Sequence, residues 1–418
     1  MSRVKHGIPN VSSRLILLVI LVAGLLGVSA PPALAADPPY TPPQPGEALR
    51  FACGPDGTQS SGAKYRICMP SWLPWNRDLL VYAHGYVAPN KPIAIPEDQL
   101  RLPDGTYIPD LAGFLGYAFA TTSYSVNGLA VKQGMADLVD LVRIFRAGHP
   151  TLRRVILIGP SEGGLITTLQ IERRPDVFDG GLATCGPIGD FRQQINHIAD
   201  FRVVFDYLFP GVMPGTVIDV PEELLTTWDD FYRSDVLPVI LRPASAISVT
   251  QLLSVTHAAI DPEEPEMTIS DTVEILLWYN VFGSADAAAK LGGQPFDNMA
   301  RVYAGSLDDA RLNAAVQRYA AAPAALAEME QYYQTGGSPH VPLVTLHTTL
   351  DPIVPYWHHT MYRTKIQTQS RTAWHQQFTA ARYGHCNFTV LETQNALNAL
   401  LAKVGAPPGN AYLPMLLK

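Results

Sequence analysis

The stretch Val155-Ile156-Leu157-Ile158-Gly159-Pro160-Ser161-Glu162-Gly163-Gly164-Leu165 constrains this chain more than any other. Four β-favouring residues in a row read as a short buried strand, and a Gly-x-Ser-x-Gly turn follows them. The pattern predicts a strand, a corner too sharp for bulky side chains, and a helix from about Gly164. A serine at such a corner holds its hydroxyl out over the sheet edge, and its small neighbours leave room for a tetrahedral adduct. Over five residues alone, a glycine-rich turn in an ordinary strand-to-helix unit would look the same. The rest of the chain separates the two readings.

An apolar strand ends in His84-Gly85, Asp351-Pro352-Ile353-Val354-Pro355 follows the elbow by almost 200 residues, and Gly384-His385 comes later still. In this order the residues resemble serine hydrolases of the α/β-hydrolase superfamily, whose triads run Ser, then Asp, then His along the chain. The likeness covers about residues 50–186 and 340–400. It implies an α/β-hydrolase fold, a mostly parallel sheet flanked by helices, with Ser161 as nucleophile, His385 as general base and then acid, and Asp351 as its orienting carboxylate. Gly85 lets the backbone pass close to the nucleophile, so the Tyr86 amide, with that of Glu162, is expected to form the oxyanion hole. His84 and Gly85 are further candidates for substrate contact.

Residues 1–35 carry Arg3, Lys5 and Arg14 before an apolar run over 15–28, then the small-x-small site Ala33-Leu34-Ala35. This is the pattern of a cleaved secretory signal. The run falls short of the roughly 20 residues that span a bilayer, so no stable membrane span is expected after cleavage and the mature chain is expected to be secreted or periplasmic. Losing three basic and no acidic residues takes the formal charge from -7 to -10, which argues against a nucleic-acid partner. Four cysteines in an exported chain favour disulfides over metal sites. Cys53 and Cys68 bracket a Gly/Ser/Asp-rich loop between two expected strands, which leaves Cys185 and Cys386 as a second pair, unless Cys185 is simply a small buried residue.

Residues 36–48 form a Pro-rich linker with Pro38, Pro39, Pro42, Pro43 and Pro45. Strands are expected at 49–53, 64–69, 78–83, 117–122, 155–158 and 180–185, with helices at 109–115 and 131–147 and one after the elbow. From 187 to 337 the alternation stops, and helical periodicity continues with breaks at Pro210, Pro214, Pro243, Pro262 and Gly292-Gly293. Because Asp351 and His385 lie beyond it, this segment is expected to be a helical cap, inserted between the sixth and seventh core strands and lying over Ser161. The core is then 49–186 plus 338–418, closed by strands at 341–347 and 371–379 and a helix at 391–404. The cap is rich in aromatic residues, among them Phe205, Trp228, Trp278, Tyr279 and Phe282, and an apolar cleft is expected, with Phe205 and Trp278 as candidate substrate contacts.

Other histidines compete poorly with His385: His347 and His375 lie inside strands, and His358 and His359 follow the acid too closely. The acids Asp261, Glu263, Glu264 and Glu266 read as a solvated loop without a calcium-loop pattern. No metal-ligand spacing or phosphate-cradling loop is present in the sequence, and no cofactor is expected. The expected activity is serine carboxylic-ester hydrolysis through an acyl-enzyme, on moderately apolar acyl or aromatic esters, small or polymeric, polyesters included. Two alternatives remain at this stage. One is a prolyl-oligopeptidase-like peptidase, whose elbow is similar to Ser161-Glu162-Gly163-Gly164 but for whose propeller the chain has no room. The other is a binding protein on a hydrolase fold that has lost its chemistry.

Overall fold

The computed structural model describes residues 51–406 apart from 72, 103 and 104, and only the backbone of Phe51 and Ala52. The expected signal, linker and first two residues of the first strand lie outside the described residues. Among the described residues nine strands make one sheet: β1 (Phe51–Cys53), β2 (Gly57–Thr58), β3 (Lys64–Pro70), β4 (Asp78–Tyr82), β5 (Ala118–Thr122), β6 (Arg154–Pro160), β7 (Gly180–Thr184), β8 (Leu343–Leu350) and β9 (His375–Tyr383). Their order is β1-β3-β5-β4-β6-β7-β8-β9, with β2 beside β3. The pairs involving β1, β2 and β3 are antiparallel, and β5 through β9 run parallel. This exchange of β4 and β5, with an antiparallel start and the serine corner after the central β6, is the α/β-hydrolase arrangement.

Period-two alternation explains why these runs form a doubly covered sheet. In β4, Leu79 and Val81 join one apolar cluster while Leu80 and Tyr82 join another on the opposite face. The first face is covered by α2 (Val131–Gly148) and α3 (Glu162–Arg173), the second by α1 (Ile108–Phe114) and the last helix. Several details differ from the sequence reading, among them a helix at Trp357–Thr368, which was not foreseen. The two-residue β2 was not foreseen, so the long helical segment falls between β7 and β8 in the full count. The last strand begins at His375 and ends at Tyr383, because Thr372–Trp374 form a 3-10 turn in place of the expected strand start.

Between β7 and β8 the described residues form α4 (Phe191–Leu208), α5 (Leu224–Phe231), α6 (Leu237–Leu241), α7 (Ala246–Thr256), α8 (Pro265–Leu291), α9 (Asp309–Ala315) and α10 (Pro323–Tyr332), and no strand. Two further helices, α11 (Trp357–Thr368) and α12 (Val390–Lys403), flank β9 in the chain. The helical segment has its own apolar cluster, built from α4, α5, α7 and α8 around Phe205, Trp228, Leu252 and Leu277. Fully buried Arg202 ties it together, donating to Asp206 Oδ1 at 2.7 Å, Asn280 Oδ1 at 2.9 Å and the Pro214 carbonyl at 3.0 Å. Tyr303 donates to Asp200 at 2.6 Å and adds a second buried polar tie.

Candidate active site

The corner is concentrated in a single residue. Ser161 has φ 55° and ψ -123°, outside the regions that non-glycine residues favour, and α3 begins directly after it at Glu162. The helix therefore starts two residues earlier than Gly164, since Ser161 alone takes up the reversal of the chain. What holds the strained serine is lack of space around it. A Cβ on Gly163 would lie 2.0 Å from the Ala83 carbonyl oxygen, and one on Gly159 would lie 2.2 Å from that of Gly163. The Ser161 amide donates to the Thr184 carbonyl at 2.9 Å, which locks the corner to β7.

Asp351 lies just past β8 and is almost fully buried. Its Oδ1 accepts the amides of Ile353 and Val354, both at 2.9 Å, and its Oδ2 accepts Nδ1 of His385 at 2.8 Å. The turn bonds fix the carboxylate so that one oxygen is left for the histidine. With Nδ1 donating to Asp351, the other ring nitrogen of His385 presents a lone pair. That Nε2 has no hydrogen-bond partner, and His385 lines one cavity together with Ser161. The His385 loop is anchored by Gly384, whose amide donates to the Leu350 carbonyl at 3.1 Å while its carbonyl accepts Thr348 Oγ1 at 2.7 Å.

The four cysteines form two bonds, Cys53–Cys68 and Cys185–Cys386. The second joins the end of β7 to the residue after His385, and both of its cysteines sit at positive φ, 45° and 51°. A sulfur of each and a ring nitrogen of His385 lie within 4.8 Å of one another, but sulfurs committed to a disulfide are not thiolate ligands, so the trio is no metal set. The acidic loop is likewise occupied with itself, since Asp261 Oδ1 accepts the Glu263 amide at 2.9 Å.

Gly85 approaches the serine closely, and a Cβ there would be 3.3 Å from that of Ser161. Its own amide is taken by Gln99 Oε1 at 2.7 Å, and Gln99 Nε2 donates to the Tyr86 carbonyl at 3.1 Å. Gln99 thus clamps the loop that carries the Tyr86 amide. The Glu162 amide opens α3 and so has no acceptor within the helix. His84 contributes from beneath: its ring stacks on Tyr124 at 3.9 Å, Nδ1 donates to the Gly85 carbonyl at 2.7 Å, and burial pushes its pKa down to about 4. A neutral, buried His84 supports the loop and lines neither cavity at the serine.

Two cavities meet at Ser161, Tyr86 and Tyr279, which line both. The smaller, about 120 Å³, lies between the elbow and the helical segment, against Glu162, Leu165, Phe191, Ile195 and Phe296. The larger, about 450 Å³, holds His385 and runs past Leu111, Ile158, Phe388 and Leu397. Of the four candidate contacts only Gly85 lines one of these cavities, the larger; Phe205 and Trp278, like His84, line neither. Phe205 is fully buried in the helical segment's own cluster, because α4 turns Ile195, Ile198 and Ala199 toward the cavity instead. Trp278 stacks on Phe282 at 4.5 Å and meets Tyr86 edge-on at 6.1 Å; its neighbour Tyr279, about 100° further round α8, lines both cavities with the serine.

The four histidines weighed against His385 in the sequence make structural contacts. His347 donates Nε2 to the Val354 carbonyl at 2.8 Å and sits 3.6 Å from Asp351, bracing the acid. His358 bonds Gln194 at 2.8 Å, and His359 and His375 share Thr345 Oγ1 at 2.7 and 2.9 Å. Sequence reasoning missed Gln99, which lies 14 residues from Gly85 in a loop without periodicity, and no signal marked it.

No protein-family model and no curated protein matches the chain. Among solved structures, an esterase from Pyrococcus furiosus is similar at 11% identity and a TM-score of 0.44, covering 87% of this chain and 95% of that one. Feruloyl esterase B from Aspergillus oryzae is similar at 14% identity and a TM-score of 0.46, covering 84% and 81%. The acylaminoacyl peptidase of Pyrococcus horikoshii is similar at 12% identity and a TM-score of 0.40, covering 88% of this chain but only 44% of the peptidase.

Proposed function

We propose that this chain is an exported serine carboxylic-ester hydrolase, with Ser161, His385 and Asp351 as its triad and the helical segment as its cap. The observation that carries the reading is the state of His385: Nδ1 is bonded to a fixed buried carboxylate, Nε2 is unpartnered, and the residue lines a cavity with a serine held in a strained corner. Nε2 takes the Oγ proton as Ser161 attacks the ester carbonyl, and the oxyanion is met by the amides of Tyr86 and Glu162, each worth about 3 kcal/mol in the transition state. His385 then returns the proton to the departing alcohol, and water hydrolyses the acyl-serine by the same path.

The shapes of the cavities support apolar esters. The alcohol leaves on the His385 side, into the larger cavity, so the acyl group lies in the smaller one. The two disulfides suit an oxidising compartment. Chromogenic esters of increasing acyl length, assayed beside a peptide anilide, test the reading. Turnover of short and medium esters well above that of the anilide is expected, while no turnover of either class would leave a binding role.

A further inference from the structure

The residue after the nucleophile carries a side chain that hydrolysis does not use. Glu162 is only 7% exposed, yet it lines the smaller cavity beside Ser161. Its Oε1 accepts the Ala130 amide at 2.8 Å, and its Oε2 has no partner. The wall around it is otherwise mostly apolar. An unpaired polar atom at such a place is costly unless something that enters the cavity completes it.

We infer, on the premise of the ester-hydrolase reading, that Glu162 is a specificity residue whose Oε2 donates a hydrogen bond to an oxygen atom carried in the acyl chain of the substrate. The side chain is built for the neutral form. Oε1, accepting an amide, plays the carbonyl oxygen, and Oε2 carries the proton. Among the described residues the cation that acts on it, Lys290, is already committed: it pairs with Asp286 at 2.8 Å and also donates to the Asn127 carbonyl, while Asp286 accepts the Leu129 amide at 2.7 Å. The other groups facing it are the phenols of Tyr86, Tyr124, Tyr279 and Tyr333, all kept protonated by burial. Burial also pushes the Glu162 carboxyl up to about 8, against the weaker opposing pull of the Ala130 amide and Lys290.

The test uses matched chromogenic esters, one with an ether oxygen in the acyl chain and one with a methylene in its place, the ether being moved along the chain. The readout is the ratio of their kcat/KM values, in which every effect common to the two esters cancels. At pH 6.5 the best ether member should be favoured about 10-fold, as one hydrogen bond to a buried group allows, and the preference should fade as pH rises through about 8. Glu162→Gln keeps an N–H donor and should retain the preference with no pH step, whereas Glu162→Met should lose it. A role in packing alone would slow both members equally.

A ratio near one at every ether position would overturn the inference while leaving the hydrolase reading intact, provided that the methylene esters turn over. Preference for an ammonium-bearing acyl group that grows above pH 8 and is lost in Glu162→Gln would overturn it in favour of a carboxylate that binds amines. If no ester turns over, both readings fall. Should Glu162→Met not fold, the wild-type pH profile and the Gln variant decide.

Discussion

The sheet and the helical segment hold their shapes by different means. Around Ser161 the sheet side leaves no space: backbone passes so close to backbone that a methyl group at Gly163 would overlap the Ala83 carbonyl. The helical segment instead hangs on a few buried polar ties, centred on Arg202, within an ordinary apolar cluster. Steric exclusion leaves the serine corner no room to shift. Polar ties fix a fold but tolerate adjustment of the surface that lines the cavity beside Ser161.

The largest expected effect is that of Gly163→Ala, which should cost about 4 kcal/mol or more in urea unfolding and abolish ester turnover, because the corner has to move. Arg202→Ala should cost about 3 kcal/mol, the low end for a broken buried pair since Asp206 is partly exposed. Its loss should fall on the helical segment, read as faster hydrogen exchange in α4 and α8 with β6 and β7 still protected. Equal exposure of both regions would erase the distinction.

Acid acts on both regions. Burial lowers the pKa of His84 on the sheet side and of His197 in α4 to about 4, and those of His358 and His359 well below their ordinary value. Each is neutral when folded and takes up a proton more readily when unfolded. Their stabilisation is therefore present above pH 6.5 and lost as pH falls toward 4, worth about 3 kcal/mol for His84. Glu162 has the opposite sign, since its raised pKa makes its contribution fade as pH climbs from 4.5 through about 8. Thermal unfolding across pH 4 to 9 should show a stability maximum between these limits, and a flat profile would contradict both assignments.

A smaller effect, about tenfold on kcat, is expected from opening Cys185–Cys386, which tethers the residue next to His385. Cys185→Ser with Cys386→Ser, or graded reduction before unfolding begins, should lower kcat. Cys53→Ser with Cys68→Ser, remote from the histidine loop, should alter stability alone.

The same contrast explains what could be read from the amino acids. β6 and its corner are legible because a strand with a Gly-x-Ser-x-Gly leaves one way to bend, and β8 with Asp351 is legible because the alternation resumes there. In the helical segment, aromatic content announces an apolar lining but not which side chains form it. Neighbours on a helix point about 100° apart, so Trp278 and Tyr279 exchange roles and Phe205 turns inward. Gln99 and the Glu162 carboxyl acquire meaning only through contacts with Gly85 and Ala130, distant in sequence, that no local pattern encodes.

The most direct test of the account is intact-mass analysis after treatment with a fluorophosphonate, followed by peptide mapping. One adduct on Ser161 is expected, formed far more slowly in His385→Ala and absent in Ser161→Ala. An adduct on another residue, or undiminished labelling of Ser161→Ala, would contradict the convergence of Ser161, His385 and Asp351 on which the account rests.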